Sequence, residues 1–147
     1  MDAPRIRPLA AGDLDRWLPL WSAYLSFYET VLPIAAMRDT FRLLDPAEPM
    51  RGLVAERGPD LVGLAHTIFH RSCWTAGDYC YLQDLFVSEA ARGAGVGEAL
   101  IEAVYALANE AGAARVYWLT DEANAPARRL YDRVAARSGF IQYRRRA

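Results

Sequence analysis

A glycine-rich segment has the composition of a phosphate-binding loop. It lies between an apolar stretch and an amphipathic one and consists of Arg92, Gly93, Ala94, Gly95, Val96 and Gly97. Glycines let consecutive backbone amides point to one side, and the start of a helix adds positive potential there. A dinucleotide fingerprint would need glycine where Glu98 stands, and the Gly-Lys-Ser/Thr of an NTPase loop is missing. The alternative is a glycine-rich helix start without a ligand, and glycine spacing alone does not separate the two interpretations.

Two other segments carry side chains that can hold or move a proton. The apolar stretch 79–87 contains Gln83 and Asp84, of which only Asp84 can accept a proton. Tyr131 follows Asn124 by seven residues, and a phenol with a pKa near 10 is protonated at neutral pH. Considered alone, Tyr131 is better explained as a buried aromatic residue. For Asn124 a helix cap, and for Asp84 a strand-edge residue paired with an arginine, are the structural alternatives, and the cap does not exclude a cofactor contact.

The histidines and cysteines do not predict a metal site. His66 and His70 lie four apart on a predicted strand, and therefore on one face, but no cysteine or acidic neighbour completes a ligand set. We expect both histidines to be structural. Cys73 and Cys80 are too few for a disulfide framework and are expected to be reduced thiols, with an occasional bridge as the alternative.

Composition excludes several classes of protein. The chain has 147 residues, 53% of them hydrophobic, and a formal net charge of -1, with arginine supplying all 17 basic side chains. These values exclude a disordered tail, a collagen-like repeat and a strongly basic nucleic-acid binder. No apolar run is long enough for a bilayer, and residues 1–7 do not resemble a secretory signal, so we expect a cytoplasmic protein.

The chain alternates strand-like and helix-like segments without a repeat or linker. This pattern predicts one domain over residues 1–147 with an α+β, or mixed α/β, fold. Asp13 is predicted to cap the first helix, and Pro19 to kink or restart it. Strands are predicted at 6–9, 52–56, 61–70, 79–87, 115–120 and 140–143. We expect the fourth of them, 79–87, to be buried on both faces. Helices are predicted at 14–28, 35–44, 97–111 and after Asn124.

Two sequence blocks resemble the GNAT superfamily of acetyl-CoA-dependent N-acetyltransferases. The pattern Arg-x-x-Gly-x-Gly that begins at Arg92 is similar to the coenzyme A pyrophosphate loop of that family. The block NAPARRLYDRVAARSGF, which begins at Asn124, is similar to the next family motif. Together they cover about residues 79–143. Within the superfamily, YLQDLFV, VYWLTDEANAPARRLY and FIQYRRR are most similar to the small yeast-type histone and polyamine acetyltransferases, with similarity to the spermidine/spermine and thialysine acetyltransferases.

The resemblance implies a fold and a way of binding acetyl-CoA as co-substrate. The fold is a central, mostly antiparallel sheet of six to seven strands, splayed between strands 4 and 5, with helices on both faces. A bulge near Leu85 is implied in strand 4, and the amide of Leu85 or Phe86 would polarise the thioester carbonyl. Arg128 is a candidate for the 3′-phosphate, or else part of a solvated helix face. The implied cofactor-binding residues are Leu85, Phe86, Val87, Arg92, Gly93, Ala94, Gly95, Val96, Gly97, Asn124 and Arg128.

The resemblance also implies catalytic and acceptor residues. Tyr131, placed seven residues after Asn124, becomes the candidate general acid for the departing thiolate. Polyamine-type relatives have Glu-Asp where this chain has Gln83-Asp84, so Asp84 is the carboxylate that remains in the motif. It would act as a base through a water molecule or bind the cationic amine. Alternatively, the amine loses its proton to solvent and there is no base. Relatives bind the acceptor with the first helix, which makes Tyr24 and Tyr28, together with Gln83 and Asp84, the candidate substrate-binding residues.

The expected function is transfer of an acetyl group from acetyl-CoA to a primary amine by direct attack. Polyamines, amino acids and lysine-like side chains are the candidate acceptors, and neither nucleic acid nor a membrane is expected as a partner. A homodimer is expected, with 140–143 as a candidate exposed sheet edge. The rival hypothesis is a regulatory module that keeps the coenzyme A cleft but has lost most of its catalysis, with Gln83 as a sign of that loss.

Overall fold

Five strands form one sheet at the centre of the protein. The computed structural model describes residues 3–47 and 49–146, and within these ranges the strands lie in chain order across the sheet. The strands are β1 (Arg5–Pro8), β2 (Met50–Arg57), β3 (Asp60–His70), β4 (Tyr79–Val87) and β5 (Arg115–Tyr117). Neighbours pair antiparallel except β4 and β5, which are parallel. The predicted α+β class and mostly antiparallel sheet are therefore confirmed.

Four helices cover the two faces of this sheet, as expected. They are α1 (Leu14–Phe27), α2 (Ile34–Leu43), α3 (Val96–Glu110) and α4 (Ala125–Val134). On one face, α1 turns Trp17, Leu20, Trp21 and Leu25 toward the sheet, a spacing that follows the helical repeat. On the other face, α3 buries its apolar stripe against β3 and β4, and α4 packs partly against the same core. None of the helices in the described ranges has the length and apolar character needed to span a bilayer.

An ion-pair network, rather than a side-chain cap, fixes the start of α1. Asp13 precedes the helix as predicted but makes no cap hydrogen bond to it. Instead its carboxylate accepts hydrogen bonds from Arg7 at 2.7 Å and from Arg16 at 3.0 Å, and the Glu56 carboxylate forms ion pairs with both arginines. The guanidinium of Arg7 lowers the pKa of Asp13 to about 2. Pro19 lies within α1, so the helix does not restart there.

Strand β4 departs from the sequence prediction in its burial and in its geometry. Of its nine residues, Cys80 and Leu82 are buried, and the prediction that both faces are covered was wrong. The pairing with β3 shifts by one residue, because His66 pairs with Asp84 whereas Thr67 pairs with Leu82. Gln83 is therefore the extra residue of a β-bulge and projects into solvent. The bulge implied near Leu85 thus occurs two residues earlier.

The C-terminal segment is not a strand. Residues 140–143 were predicted to pair with the sheet, but in the described part of the chain they form no regular element, and Phe140, Ile141 and Tyr143 are exposed. The sheet therefore has five strands among the described residues, rather than six or seven. Strand β5 ends at Tyr117 instead of residue 120. A strand of three residues has few backbone N–H and C=O groups with which the C-terminal segment could pair.

Candidate active site

A cleft opens where β4 and β5 separate. The two strands pair only from Tyr79 to Tyr81 and from Arg115 to Tyr117, and beyond these residues they diverge. The resulting cavity has a volume of about 350 Å³, within the range of small-molecule sites. It is lined by the end of α1, the second half of β4, the start of α4 and the residues after β5. The splay expected between strands 4 and 5 is therefore present.

The glycine-rich segment borders one end of the cavity. Gly93 and Gly95 have φ angles of +83° and +79°, a backbone conformation that favours glycine, and the space beside both is open. The first helical hydrogen bond of α3 runs from the Ala99 amide to the Gly95 carbonyl, so the amides just before Ala99 are free of helical acceptors. This arrangement presents amide donors and the positive end of a helix, which fits a diphosphate group.

Arg92 and Gly97 connect this segment to the cavity wall. The Nε atom of Arg92 donates to the Val87 carbonyl at 3.0 Å, and its guanidinium lies 5.6 Å from the centre of the Phe86 ring. A Cβ on Gly97 would lie 3.4 Å from Leu130, an ordinary van der Waals contact, so α3 and α4 pack against each other at this position. Arg92 and Gly97 both line the cavity, whereas residues 93–95 form the loop beside it and Val96 begins α3.

Helix α4 places Tyr131 on the cavity wall. Asn124 caps the helix, with its Oδ1 accepting from the Ala127 amide at 3.3 Å. Seven residues later, nearly two helical turns, Tyr131 faces the same cavity as Asn124. Its ring meets Trp118 edge-on at 5.4 Å between ring centres. Burial, with a smaller contribution from Tyr28, raises the pKa of Tyr131, so its hydroxyl stays protonated at neutral pH.

Aromatic side chains from α1 form the opposite wall. Tyr24 stacks on Trp21 at 5.1 Å between ring centres and meets both Tyr28 and Phe86 edge-on. Tyr24 and Tyr28 line the cavity, as does Phe27, which the sequence analysis had not selected. Burial, and after it the nearby Asp84 carboxylate, raises the pKa of Tyr24. The wall thus presents the protonated phenol of Tyr24 and several aromatic faces, which suit an alkylammonium group.

Gln83 and Asp84 are adjacent in sequence but face different surroundings. Gln83 lines the cavity, and Asp84 does not. The Asp84 carboxylate lies 3.0 Å from Nδ1 of His66 instead of pairing with an arginine, and its side chain is 13% exposed. His70, on the same face of β3, bonds instead to the Tyr117 hydroxyl at 2.7 Å. No group of three or more potential metal ligands occurs among residues 3–47 and 49–146.

Comparison with known proteins decides the family. Residues 16–136 match the family described as Acetyltransferase (GNAT) family. The chain belongs to the GNAT family. It is 38% identical over 144 residues to the D-amino-acid N-acetyltransferase HPA3 of Saccharomyces cerevisiae, covering 95% of this chain and 89% of that protein. The protein is thus an N-acetyltransferase, and GNAT enzymes generally use acetyl-CoA as co-substrate.

Solved structures share the fold of this GNAT enzyme. A probable acetyltransferase superimposes with a TM-score of 0.87 at 22% identity, with 97% of each chain covered. A ribosomal-protein-alanine N-acetyltransferase from Brucella melitensis biovar Abortus 2308 gives a TM-score of 0.80 at 22% identity, covering 99% of this chain and 100% of that one. Identities this low show a common fold and do not assign a substrate.

The cavity of this GNAT enzyme gathers most of the residues that the sequence had suggested. Arg128 is not among the lining residues, and its guanidinium donates to the Glu122 carbonyl at 2.7 Å. Several lining residues had been assigned no role, although all except Phe27 lie in the sequence blocks that resemble the family. They are Phe27, Leu82, Trp118, Leu119, Thr120, Pro126, Ala127 and Leu130. A signal for three of them was available, since 118–120 follow the short strand that borders the splay.

Proposed function

We propose that this enzyme acetylates the primary amine of a small molecule, with an amino acid as the favoured acceptor ahead of polyamines and lysine-like side chains. The observation that carries the proposal is the cavity that three parts line together: the two ends of the amide-rich segment, Arg92 and Gly97, then Tyr131, and the aromatic residues of α1. The amino-acid acceptor is supported by the 38% identity to a D-amino-acid N-acetyltransferase.

Acetyl-CoA would lie along the splay between β4 and β5. Its diphosphate would be held by the amides of the Arg92 to Gly97 segment, and its acetyl group would reach the second half of β4. Beyond Tyr81, β4 is not paired with β5, whereas β3 pairs with its other edge. Because successive amides of a strand point to opposite edges, the amide of Leu85 or Phe86 that points away from β3 is available to the thioester carbonyl. Preorganised amides stabilise the oxyanion that forms there without reorganising.

The acceptor amine must lose a proton before it attacks. An alkyl amine with a pKa near 10.4 is only about 0.04% neutral at pH 7. Asp84 is the carboxylate next to the aromatic wall, and we propose that it accepts the proton of the ammonium group. Because Asp84 does not itself line the cavity, the proton reaches it through an intervening group. The amine nitrogen then forms a bond to the carbonyl carbon, the carbon–sulfur bond breaks, and the sulfur takes the proton of the Tyr131 hydroxyl. The attacking nitrogen, which still carries one proton more than the amide product, releases it to water, and Tyr131 recovers its proton from water.

An acceptor panel tests this function. Purified protein is incubated with acetyl-CoA and, in turn, D-amino acids, L-amino acids, spermidine and Nα-acetyllysine, and the release of free thiol is followed. We expect amine-dependent thiol release, largest with an amino acid. Tight coenzyme A binding without amine-dependent release would contradict the proposal and favour the regulatory-module hypothesis. A preference for spermidine would retain acetyl transfer and reject the amino-acid acceptor.

We further propose a cytoplasmic homodimer. The exposed apolar segment 140–143 is the surface that supports a dimer, although it is not a strand in the single chain. Exposed Cys73 and buried Cys80, which are not bonded to each other, are compatible with a reducing compartment. Sedimentation of the wild-type protein and of the Phe140→Ser variant tests the dimer, which the substitution would weaken. A monomeric wild-type protein would reject it.

A further inference from the structure

His66 is a buried side chain that the proposed reaction does not use. It lies on the face of β3 that α1 covers, and its side chain is 4% exposed. The indole nitrogen of Trp17 lies 3.1 Å from its Nε2, and Oδ2 of Asp84 lies 3.0 Å from its Nδ1. Both ring nitrogens therefore have a hydrogen-bond partner, Nε2 on α1 and Nδ1 on β4.

Trp17 determines which nitrogen of His66 carries the proton. An indole N–H is a donor only, so Nε2 of His66 must accept, and a neutral imidazole then has its proton on Nδ1. That proton is directed at the Asp84 carboxylate. Trp17 is completely buried and packs against Trp21 and Phe41, so this donor is held in place.

The bulge at Gln83 brings Asp84 to this position. His66 pairs with Asp84, and the next pair along is Thr67 with Leu82. If the register of the Tyr79–Leu82 part of β4 continued without interruption, Gln83 would stand opposite His66, and Asp84 would stand opposite Ala65 on the other face of the sheet. The extra residue thus turns the carboxylate toward His66 and leaves the glutamine at the cavity.

Tyr24 connects the buried pair to the cavity. The ring of Trp21 packs between His66 and Tyr24, with ring centres 4.8 Å from His66 and 5.1 Å from Tyr24. Burial, and after it the nearby Asp84 carboxylate, raises the pKa of the Tyr24 hydroxyl. Of these side chains, Tyr24 lines the cavity, whereas His66 and Asp84 do not.

We infer that His66 is a positioning residue for the acceptor amine: fixed by Trp17, it donates through Nδ1 to Asp84 and holds that carboxylate beside Tyr24. The inference rests on the proposed function, because it assigns His66 a task only if an amine binds at the aromatic wall. It places His66 in the acceptor half of the reaction and leaves the binding of acetyl-CoA independent of it.

The tautomer is measured first and does not depend on activity. The chain has two histidines, so the tag-free His70→Asn variant gives a single imidazole in two-bond ¹H–¹⁵N spectra. We expect a protonated Nδ1 and an unprotonated Nε2, and a shift of the Nδ1 proton when Asp84→Asn is added. A ring protonated at Nε2, or a Nδ1 proton that does not respond to Asp84→Asn, would overturn the inference.

Kinetic measurements then test whether His66 positions Asp84 for the reaction. His66→Leu removes the donor to a charged group, and we expect kcat/KM for the amine to fall about ten- to hundredfold, with an unchanged KM for acetyl-CoA. His66→Asn, whose amide nitrogen lies near the place of Nδ1, is expected to recover most of that loss. His70→Asn is the matched control, because His70 lies on the same face of the same strand, bonds to Tyr117 and is expected to have no effect.

The double variant separates positioning from a general packing role. If His66 acts through Asp84, His66→Leu has little further effect in the Asp84→Asn background. Equal losses in both backgrounds, or a rise in the KM for acetyl-CoA as large as the loss for the amine, would reject the inference. If His66→Leu does not fold, the comparison is made with His66→Asn alone. Failure of the wild-type protein to acetylate any amine would reject the proposed function and leave the measured tautomer unaffected.

Discussion

The two sides of the cleft are formed by different kinds of chemical group: backbone amides on one side and packed side chains on the other. The side proposed to bind the coenzyme, here the coenzyme side, consists of backbone amides, two glycines with positive φ and the first turn of α3, all within residues 92–99. The side proposed to bind the acceptor, here the acceptor side, consists of side chains from α1, β3 and β4, with Tyr24 at the cavity and His66 and Asp84 behind it, and these three are far apart in the sequence. The first surface depends on local backbone conformation, and the second depends on tertiary packing.

This difference implies different sensitivities to mutation. A backbone site tolerates most side-chain changes and fails when a glycine is replaced, since only glycine adopts its conformation without strain. A side-chain site fails when one member of a packed group changes, because its neighbours are left without partners. The variants described below test this contrast, from the largest expected effect to the smallest.

Tyr131→Phe is expected to have the largest effect, because the candidate acid stands between the two sides. In single-turnover assays, the rate of acetyl transfer is expected to fall about 10²- to 10⁴-fold, with little change in the Kd for acetyl-CoA. Tyr79→Phe is the control, since Tyr79 lies on β4 outside the cavity. An unchanged transfer rate in Tyr131→Phe would remove Tyr131 from the role of acid.

Asp13→Asn tests whether the acceptor side depends on ion pairs beneath α1. The pKa of Asp13 is lowered to about 2, so its contribution to stability is complete above the unfolded pKa near 4 and is lost as the pH falls toward 2. We expect a loss of about 2 kcal/mol in urea unfolding at pH 7, and a smaller loss at pH 3.

The exposed pair Asp39–Arg42 is the matched control for Asp13→Asn. Both of its side chains are more than two-thirds exposed, so Asp39→Asn is expected to change stability by no more than about 0.5 kcal/mol. A loss in Asp13→Asn that is the same at pH 3 and pH 7 would show that the carboxylate charge is not its cause.

Gly95→Ala tests the backbone side. The φ angle of +79° costs a residue with a Cβ about 1–2 kcal/mol, and we expect the KM for acetyl-CoA to rise about tenfold while the KM for the amine is unchanged. Gly58→Ala is the control, because Gly58 also has a positive φ, +57°, but lies in the turn between β2 and β3. If both variants raised the KM equally, the effect would be one of stability.

Tyr24→Phe is expected to have the smallest effect. It removes a hydroxyl beside Asp84 and leaves the stacked ring in place, so we expect the KM for the amine to rise about three- to fivefold. The KM for acetyl-CoA serves as the internal control. If the acetyl-CoA KM rose instead, Tyr24 would belong to the coenzyme side and the contrast between the two sides would fail.

The coenzyme side was predictable because its signals are local. The glycine pattern, the cap at Asn124 and the seven-residue spacing to Tyr131 all lie within short windows, and the structure brings Arg92, Gly97, Asn124 and Tyr131 to one cavity. Helix and strand positions were predicted for the same reason, since the periodicity of apolar residues is a local property.

The acceptor side was only partly predictable. His66 was expected to be structural, because nothing in the sequence shows that a bulge at Gln83 places Asp84 opposite it. The strand predicted at 140–143 was wrong because its apolar residues favour a strand, while pairing depends on a partner edge that β5 does not extend far enough to provide. The contact between His66 and Asp84 and the missing partner for 140–143 both depend on tertiary pairing, which a single sequence does not encode in any short window.

The separation of β4 from β5 has a consequence for solubility. A strand edge with unpaired amides and carbonyls attracts the edges of other chains and promotes aggregation. Here the unpaired part of β4 lies inside a cleft whose walls are α1 and α4, with Tyr28 and Tyr131 on opposite sides. A slender, flexible molecule fits between these walls, and the twisted edge of another sheet does not. The geometry that admits a ligand arm therefore also shields this strand edge from edge-to-edge aggregation.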